Sequence, residues 1–271
     1  MTDSTMPDAS SSRDRIIHGV DFSGADAGGE AGIRLASRSS ATESLIDRIE
    51  RLDRISLRRR IMASLEDGND HLWLIDAPFG IPCPTLEACG VPLEWTKTVE
   101  WMAGFPTPRD WRRGVRAVTR KEPRRVADRA ASTPLASMNL RIFKQTWTAM
   151  VELLQPLAMA GVRIEPLAGP KDSRVVVAEG CPASILKRGG DSSRGYKGKS
   201  DSNRDRRREI LEIAHHRWGL HISEAMADRC IDGTAGRPRR GSPDFGSLGH
   251  GAPTRSPGRR LGLLLSPVVL V

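Results

Sequence analysis

Three acidic residues of this sequence stand where they could hold divalent metal ions. Asp21, Asp76 and Glu179 each end a short apolar segment and are followed within three residues by Gly or Pro. In α/β proteins, ligands bind where the carboxyl ends of neighbouring strands meet. Carboxylates that converge there raise one another's pKa values unless a cation neutralises them, and oxygen ligands suit Mg²⁺ or Mn²⁺. Two such ions, about 3.5–4 Å apart, can hold the attacking water and the leaving oxygen of a phosphodiester.

A simpler interpretation applies to each acid taken singly. An Asp or Glu that follows a strand often caps the next turn or helix through its side-chain oxygen. The sequence alone leaves both interpretations open, although three such caps at three strand ends are a less economical explanation than one shared site.

A second group of residues could bind phosphate. The segment 195–208 (GYKGKSDSNRDRRR) places Tyr196 beside Lys197 and continues to Arg204 in a predicted helix start. Arginines there oppose the helix dipole, which indicates a nearby anion, but a solvated charge run is the usual alternative. Ser23 lies in the turn SGA, a candidate phosphate loop that lacks the GxGxxG spacing and the P-loop lysine.

Charge and cysteine content narrow the class of protein. The chain has 271 residues and a formal net charge of +9, which suits a polyanionic partner such as nucleic acid. Its four cysteines form no CxxC pair and match no zinc-site spacing, so we expect a reducing, cytoplasmic location. No signal peptide is visible. The apolar segment 261–271 is far shorter than the roughly 20 residues of a membrane-spanning helix, so no membrane association is expected.

The order of predicted elements is that of an α/β chain around a mixed sheet. Strands are predicted at 15–21, 32–37, 71–76, 161–166 and 174–179, and helices at 54–65, 93–102, 139–157 and 203–218. Apolar residues at 45, 46, 49 and 52 favour a helix there, but a strand stays possible. We expect a disordered N-terminus over 1–14, a single domain over 15–230, and a low-complexity tail over 231–271 whose Gly, Pro and Arg content favours disorder.

Five segments, in this order, resemble domain-of-unknown-function family 429, whose members are described as predicted RNase H-like nucleases. They are GVDFSGA (19–25), IDAPFGIP (75–82), FPTP (105–108), EGCPA (179–183), and GYK followed by an Arg-rich helix (195–208). The resemblance covers about residues 15 to 230, and IDAPFGIP with the upstream GVD is its most specific part.

The resemblance implies an RNase H-like fold with a mixed five-stranded sheet flanked by helices. It implies that Asp21 is a metal ligand, that Asp76 is the second acid on the adjoining strand, and that Glu179 and Lys197 match two further family positions. The family typically closes with an Asp-bearing helix, for which no counterpart is visible after Asp228. The expected function is therefore a metal-dependent nuclease, and the alternative is a nucleic-acid- or nucleotide-binding protein that does not cleave. A sugar-phosphate or nucleotide enzyme of the actin-like type is a third possibility, for which the chain is short.

Overall fold

The centre of the protein is a mixed six-stranded sheet. The computed structural model describes residues 15–25, 32–39, 45–46 and 48–233. Its strands are β1 (Arg15–Asp21), β2 (Ile33–Ser39), β3 (Glu50–Leu52), β4 (Asp70–Ile75), β5 (Arg163–Glu165) and β6 (Val175–Glu179). They lie side by side in the order β3-β2-β1-β4-β6-β5.

The direction of the strands brings three predicted strand ends to one edge. Strand β4 pairs in parallel with β1 on one side and with β6 on the other, and β5 is parallel to β6. Strand β2 runs antiparallel to β1, and β3 antiparallel to β2. The carboxyl ends of β1, β4 and β6 therefore lie next to one another, as the sequence led us to expect.

The predicted number of strands was wrong by one. The additional strand is β3, from the segment whose apolar spacing favoured a helix: Glu50–Leu52 pair with Ile33–Leu35. Ile46, four residues earlier, forms an isolated bridge with Ile222 and is buried. In so short a segment the spacing of apolar residues fits both a helix and a strand. Pairing with the free edge of β2 makes this segment a strand.

Helices cover both faces of the sheet, which confirms the predicted class. In the described residues the α-helices are α1 (Arg54–Ala63), α2 (Cys83–Ala88), α3 (Trp95–Ala103), α4 (Pro108–Val118), α5 (Val126–Ala130), α6 (Phe143–Thr148), α7 (Gln155–Met159), α8 (Pro182–Arg188), α9 (Asp201–Trp218) and α10 (Glu224–Ile231). The helix predicted from residue 139 begins at Phe143 and contains a π-helical segment, Ala149–Leu154, between α6 and α7. Helix α10 was not predicted.

Two apolar cores lie on opposite faces of the sheet. The larger contains Val20, Trp73 and Ile75 from the strands and packs against α1, α3, α4, α6 and α7. The smaller contains Ala36 and packs against α8, α9 and α10. The alternation of side chains along each strand assigns each strand residue to one of these faces.

Several sequence predictions concern residues outside those that are described. They are the N-terminus over 1–14, the tail beyond residue 233, and its apolar end over 261–271. Of the predicted tail, Ile231 is described as the last residue of α10, followed by a turn at 232–233. Within the described ranges, no helix combines the length and apolar content needed to cross a membrane.

Candidate active site

A cleft of about 270 Å³ opens at the edge where β1, β4 and β6 end. Five of the seven predicted site residues line it: Asp21, Asp76, Glu179, Tyr196 and Lys197. We call this the acidic cleft.

The other two predicted residues lie outside it. The carbonyl of Ser23 accepts a hydrogen bond of 3.4 Å from Arg54, and its hydroxyl accepts one from the backbone of Ala25. Arg204 lies on the exposed side of α9, with its guanidinium 3.4 Å from Asp232. Neither residue lines the acidic cleft.

The register of β1 and β4 makes Asp21 and Asp76 direct neighbours. Val20 is paired with Ile75, and the N–H of Asp76 donates to the carbonyl of Val20 at 2.9 Å. Both aspartates follow this pair by one residue. Because successive side chains of a strand point to opposite faces, both carboxylates project away from the larger core, toward the face of Tyr196.

Glu179 is offset from the two aspartates by one residue. In the register of β4 and β6 it lies opposite Ile75, and Gly180 is the residue beside Asp76. A shift of one residue reverses the face to which a side chain points. Glu179 therefore enters the cleft from the other face of the sheet than Asp21 and Asp76.

Arg125 binds the Glu179 carboxylate with both ends of its guanidinium. Its Nη1 is 2.8 Å from Oε2 and its Nη2 is 2.7 Å from Oε1. The backbone N–H of Phe79 donates to the same Oε2 at 3.0 Å. Such a bidentate, charge-assisted pair satisfies both carboxylate oxygens.

The same arginine also binds Asp128, which is only 1% exposed. Nη2 of Arg125 is 2.6 Å from Oδ1 of Asp128, and Nε is 3.1 Å from Oδ2. Burial lowers the pKa of Arg125, but its hydrogen bonds to Glu179 and Asp128 outweigh burial and raise this pKa above its ordinary value. Sequence reasoning did not find Arg125. Its spacing from Asp128 at a helix start was the available signal, and that signal does not point to Glu179.

The pKa of Tyr196 is affected by the negative charge of the cleft. Burial, then the carboxylates of Asp76 and Asp21, and finally Cys181 raise its pKa to about 12. Its hydroxyl is therefore protonated at neutral pH and can donate a hydrogen bond. The ammonium of Lys197 lies 5.5 Å from the centre of the Tyr196 ring.

The turn after β1 is shaped by packing rather than by space for a phosphate. A Cβ atom on Gly24 would lie 2.4 Å from the backbone nitrogen of Gln145, so only glycine allows α6 to approach this turn. The side-chain amide of Gln145 in turn donates to the carbonyl of Asp76. The space that a phosphate loop would offer at this glycine is filled by α6.

The three acids predicted to hold a metal do not share the same surroundings: Asp21 and Asp76 lie side by side, and Glu179 is paired with Arg125. Within residues 15–25, 32–39, 45–46 and 48–233, no cluster of three or more His, Cys, Asp or Glu has an arrangement that could hold a metal ion. At the acidic cleft, the register of β4 and β6 turns Glu179 toward Arg125 and away from the two aspartates. Cys181, which also lines the cleft, is a free thiol whose pKa is raised by burial.

Comparison of the chain with protein-family models, curated proteins and solved structures finds no match in any of the three. The case for a function therefore depends on the residues of the cleft.

Proposed function

We propose that this protein is a metal-dependent hydrolase that cleaves phosphodiester bonds of RNA or DNA in the acidic cleft. The observation that carries the proposal is the adjacency of Asp21 and Asp76. They are neighbouring residues at the ends of two parallel strands, in a cleft that also contains Lys197. A carboxylate pair next to cationic side chains is an arrangement that can bind a metal ion and a phosphate together.

The architecture is compatible with an RNase H-like fold, which is part of the proposal. The resemblance implies a mixed sheet flanked by helices, and the sheet and its two helical layers support that assignment.

Asp21 and Asp76 would hold Mg²⁺ or Mn²⁺, since both offer only oxygen ligands and Mg²⁺ is usually bound by one or two carboxylates together with substrate phosphate. When bound, the ion would polarise a phosphoryl oxygen and lower the pKa of a coordinated water. The two-ion arrangement expected from sequence relied on three carboxylates, those of Asp21, Asp76 and Glu179. The bidentate pairing of Glu179 with Arg125 favours a single ion at the aspartate pair.

The remaining cleft residues would bind and orient the phosphate. Lys197 and Arg141 line the cleft and would balance phosphate charge. The hydroxyl of Tyr196, which keeps its proton at neutral pH, would donate a hydrogen bond to a phosphate oxygen. Arg125 is a positioning residue, because it holds Glu179 and Asp128 on one wall of the cleft.

The test is a cleavage assay with the purified full chain. Labelled RNA and DNA oligonucleotides are incubated with Mg²⁺, with Mn²⁺ or with EDTA. We expect cleavage only with metal, and a loss of about 10–100-fold or more in Asp21→Asn and in Asp76→Asn, since even outer-shell partners of metal ligands have effects of this size. Asp172→Asn is the matched control, because Asp172 is exposed and does not line the cleft. Metal-independent cleavage, or equal activity of all three variants, would refute the proposal.

A second candidate is a protein that binds nucleic acid without cleaving it. The observation in its favour is again Glu179, whose carboxylate is already paired with Arg125. In addition, no residue of α10 lines the acidic cleft, so among the described residues no acid of α10 completes the aspartate pair. Tight binding of oligonucleotides without cleavage under any of the metal conditions would favour this candidate.

A further inference from the structure

A second groove adjoins the acidic cleft and is strongly cationic. It has a volume of about 570 Å³, and its lining includes five cationic side chains and no Asp or Glu. The five residues are Arg124, Arg129, Lys187, Arg194 and Lys197. We call it the cationic groove.

The five cations have no acidic partners within the described part of the chain. Arg124 donates to the carbonyl of Pro134 at 3.2 Å, and Lys187 donates to the carbonyl of Ser132 at 2.6 Å. Both contacts orient the side chain and leave its charge unneutralised.

Other arginines of this basic chain are paired. Arg112 and Arg116 both contact Glu122, at 2.9 and 3.4 Å, and Arg217 contacts Asp191 at 2.8 Å. The groove, in contrast, is lined by five cations and by no Asp or Glu. Like charges within one Debye length, about 8–10 Å, repel one another, so an anion in the groove would relieve a cost that the folded chain otherwise carries.

The groove and the acidic cleft form one continuous surface. They share five lining residues: Thr133, Pro134, Ala183, Tyr196 and Lys197. A ligand that extends from the aspartate pair would pass Tyr196 and Lys197 and enter the cationic groove. A single phosphate needs one end of this surface, whereas a chain of phosphates would use both.

We propose that the cationic groove binds the phosphodiester backbone of a single-stranded nucleic acid whose reacting phosphate lies at Asp21 and Asp76. A positively charged groove that follows the backbone, with an aromatic side chain on its path, is the arrangement with which proteins bind single strands. Tyr196 supplies that aromatic side chain. The choice of a nucleic acid rests on the proposed function, but the binding itself requires neither metal nor cleavage.

The test measures binding in EDTA, so that cleavage does not contribute. Fluorescence anisotropy gives the Kd of a labelled single-stranded oligonucleotide over a series of salt concentrations. The variant Arg129→Gln/Lys187→Gln/Arg194→Gln removes three charges from the groove and leaves the acidic cleft intact. We expect weaker binding and a slope of log affinity against log salt that is smaller by about 2, since each lost phosphate contact on a single strand contributes about 0.7.

The matched control is Arg59→Gln/Lys171→Gln/Arg174→Gln, which removes three exposed cations that line neither the groove nor the cleft. It should retain the affinity and salt slope of the unaltered chain. Each single groove variant should lower the slope by about 0.7, which keeps the test valid if the triple variant does not fold.

Two outcomes would overturn the inference. Equal salt slopes in the groove and control variants would show that the groove does not contact the ligand. Tighter binding of a duplex than of a single strand of the same sequence would show that the ligand of the groove is not a single-stranded nucleic acid. Failure of the proposed function looks different: the groove variants would lose binding, while the unaltered chain would show no metal-dependent cleavage.

Discussion

The single tyrosine of the chain makes the charge of the acidic cleft measurable. Tyr196 is the only tyrosine among the 271 residues, so the ultraviolet absorbance of tyrosinate reports one group. Its pKa is raised from 10.0 to about 12 by burial and by Asp76 and Asp21. Two pKa units correspond to about 2.7 kcal/mol of difference between the protonated and ionised forms.

Removing the carboxylates should lower the midpoint of this titration. We expect Asp21→Asn and Asp76→Asn each to move the pKa of Tyr196 down from about 12, and the double variant to move it further while staying above 10.0, because burial remains. Asp172→Asn should leave the midpoint unchanged. Tryptophan fluorescence, to which the fully buried Trp73 and Trp111 contribute, shows whether the chain is folded at each pH.

The raised pKa of Tyr196 also determines how the free energy of unfolding changes with pH. Between pH 10 and about 12 the unfolded chain releases the tyrosine proton and the folded chain retains it. The free energy of unfolding should therefore fall as the pH rises through this range, by at most about 2.7 kcal/mol from this group. A native midpoint equal to that of the urea-unfolded chain would refute the placement of Tyr196. A raised midpoint that neither aspartate variant alters would assign the whole shift to burial and separate Tyr196 from the aspartate pair.

Three further predictions concern the same region. Gly24→Ala should reduce the free energy of unfolding by about 1–3 kcal/mol in urea titrations, because the added methyl group meets the α6 backbone. The control Gly80→Ala, whose Cβ would have no neighbour nearer than 4.0 Å, should change this free energy by less than about 1 kcal/mol. Similar losses in both variants would contradict the packing role of Gly24. Arg125→Met should cost about 3–5 kcal/mol, because it leaves two carboxylates without their cation; a thermal melt like that of the unaltered chain would mean that the pairing is not maintained in solution. Mg²⁺ at about 100 times its Kd should stabilise the folded chain by about 2.7 kcal/mol. This stabilisation should vanish in Asp21→Asn and persist in Asp172→Asn. Its loss in both variants, or in neither, would argue against an ion at Asp21.

Much of the sheet could be predicted from the sequence because its signals are local. The apolar segments that end at Asp21, Asp76 and Glu179 are each followed by a turn-forming Gly or Pro, and each is a strand. Strand β3 shows the limit of such signals. Its residues fit a helical spacing, and pairing with β2 made them a strand.

The different surroundings of the three acids could not be predicted, because they depend on register. In the sequence Asp76 and Glu179 look equivalent, as both end a buried strand before a turn. An offset of one residue between β4 and β6 points them to opposite faces. The partner of Glu179 is Arg125, 54 residues away in the chain, and no local pattern connects the two.

The position of the cationic groove also could not be predicted from local sequence patterns. The composition shows an excess of Lys and Arg, and it does not show which of them are neutralised. Arg124 and Arg129 lie just before and within α5, Lys187 lies on α8, and Arg194 and Lys197 lie in the loop that precedes α9. They form one groove because the fold brings these three regions together, and no Asp or Glu is among the residues that line it. The type and local spacing of the side chains can be read from the sequence. Coulomb interactions depend on distances in space, so only the tertiary structure determines which charged side chains lie close together.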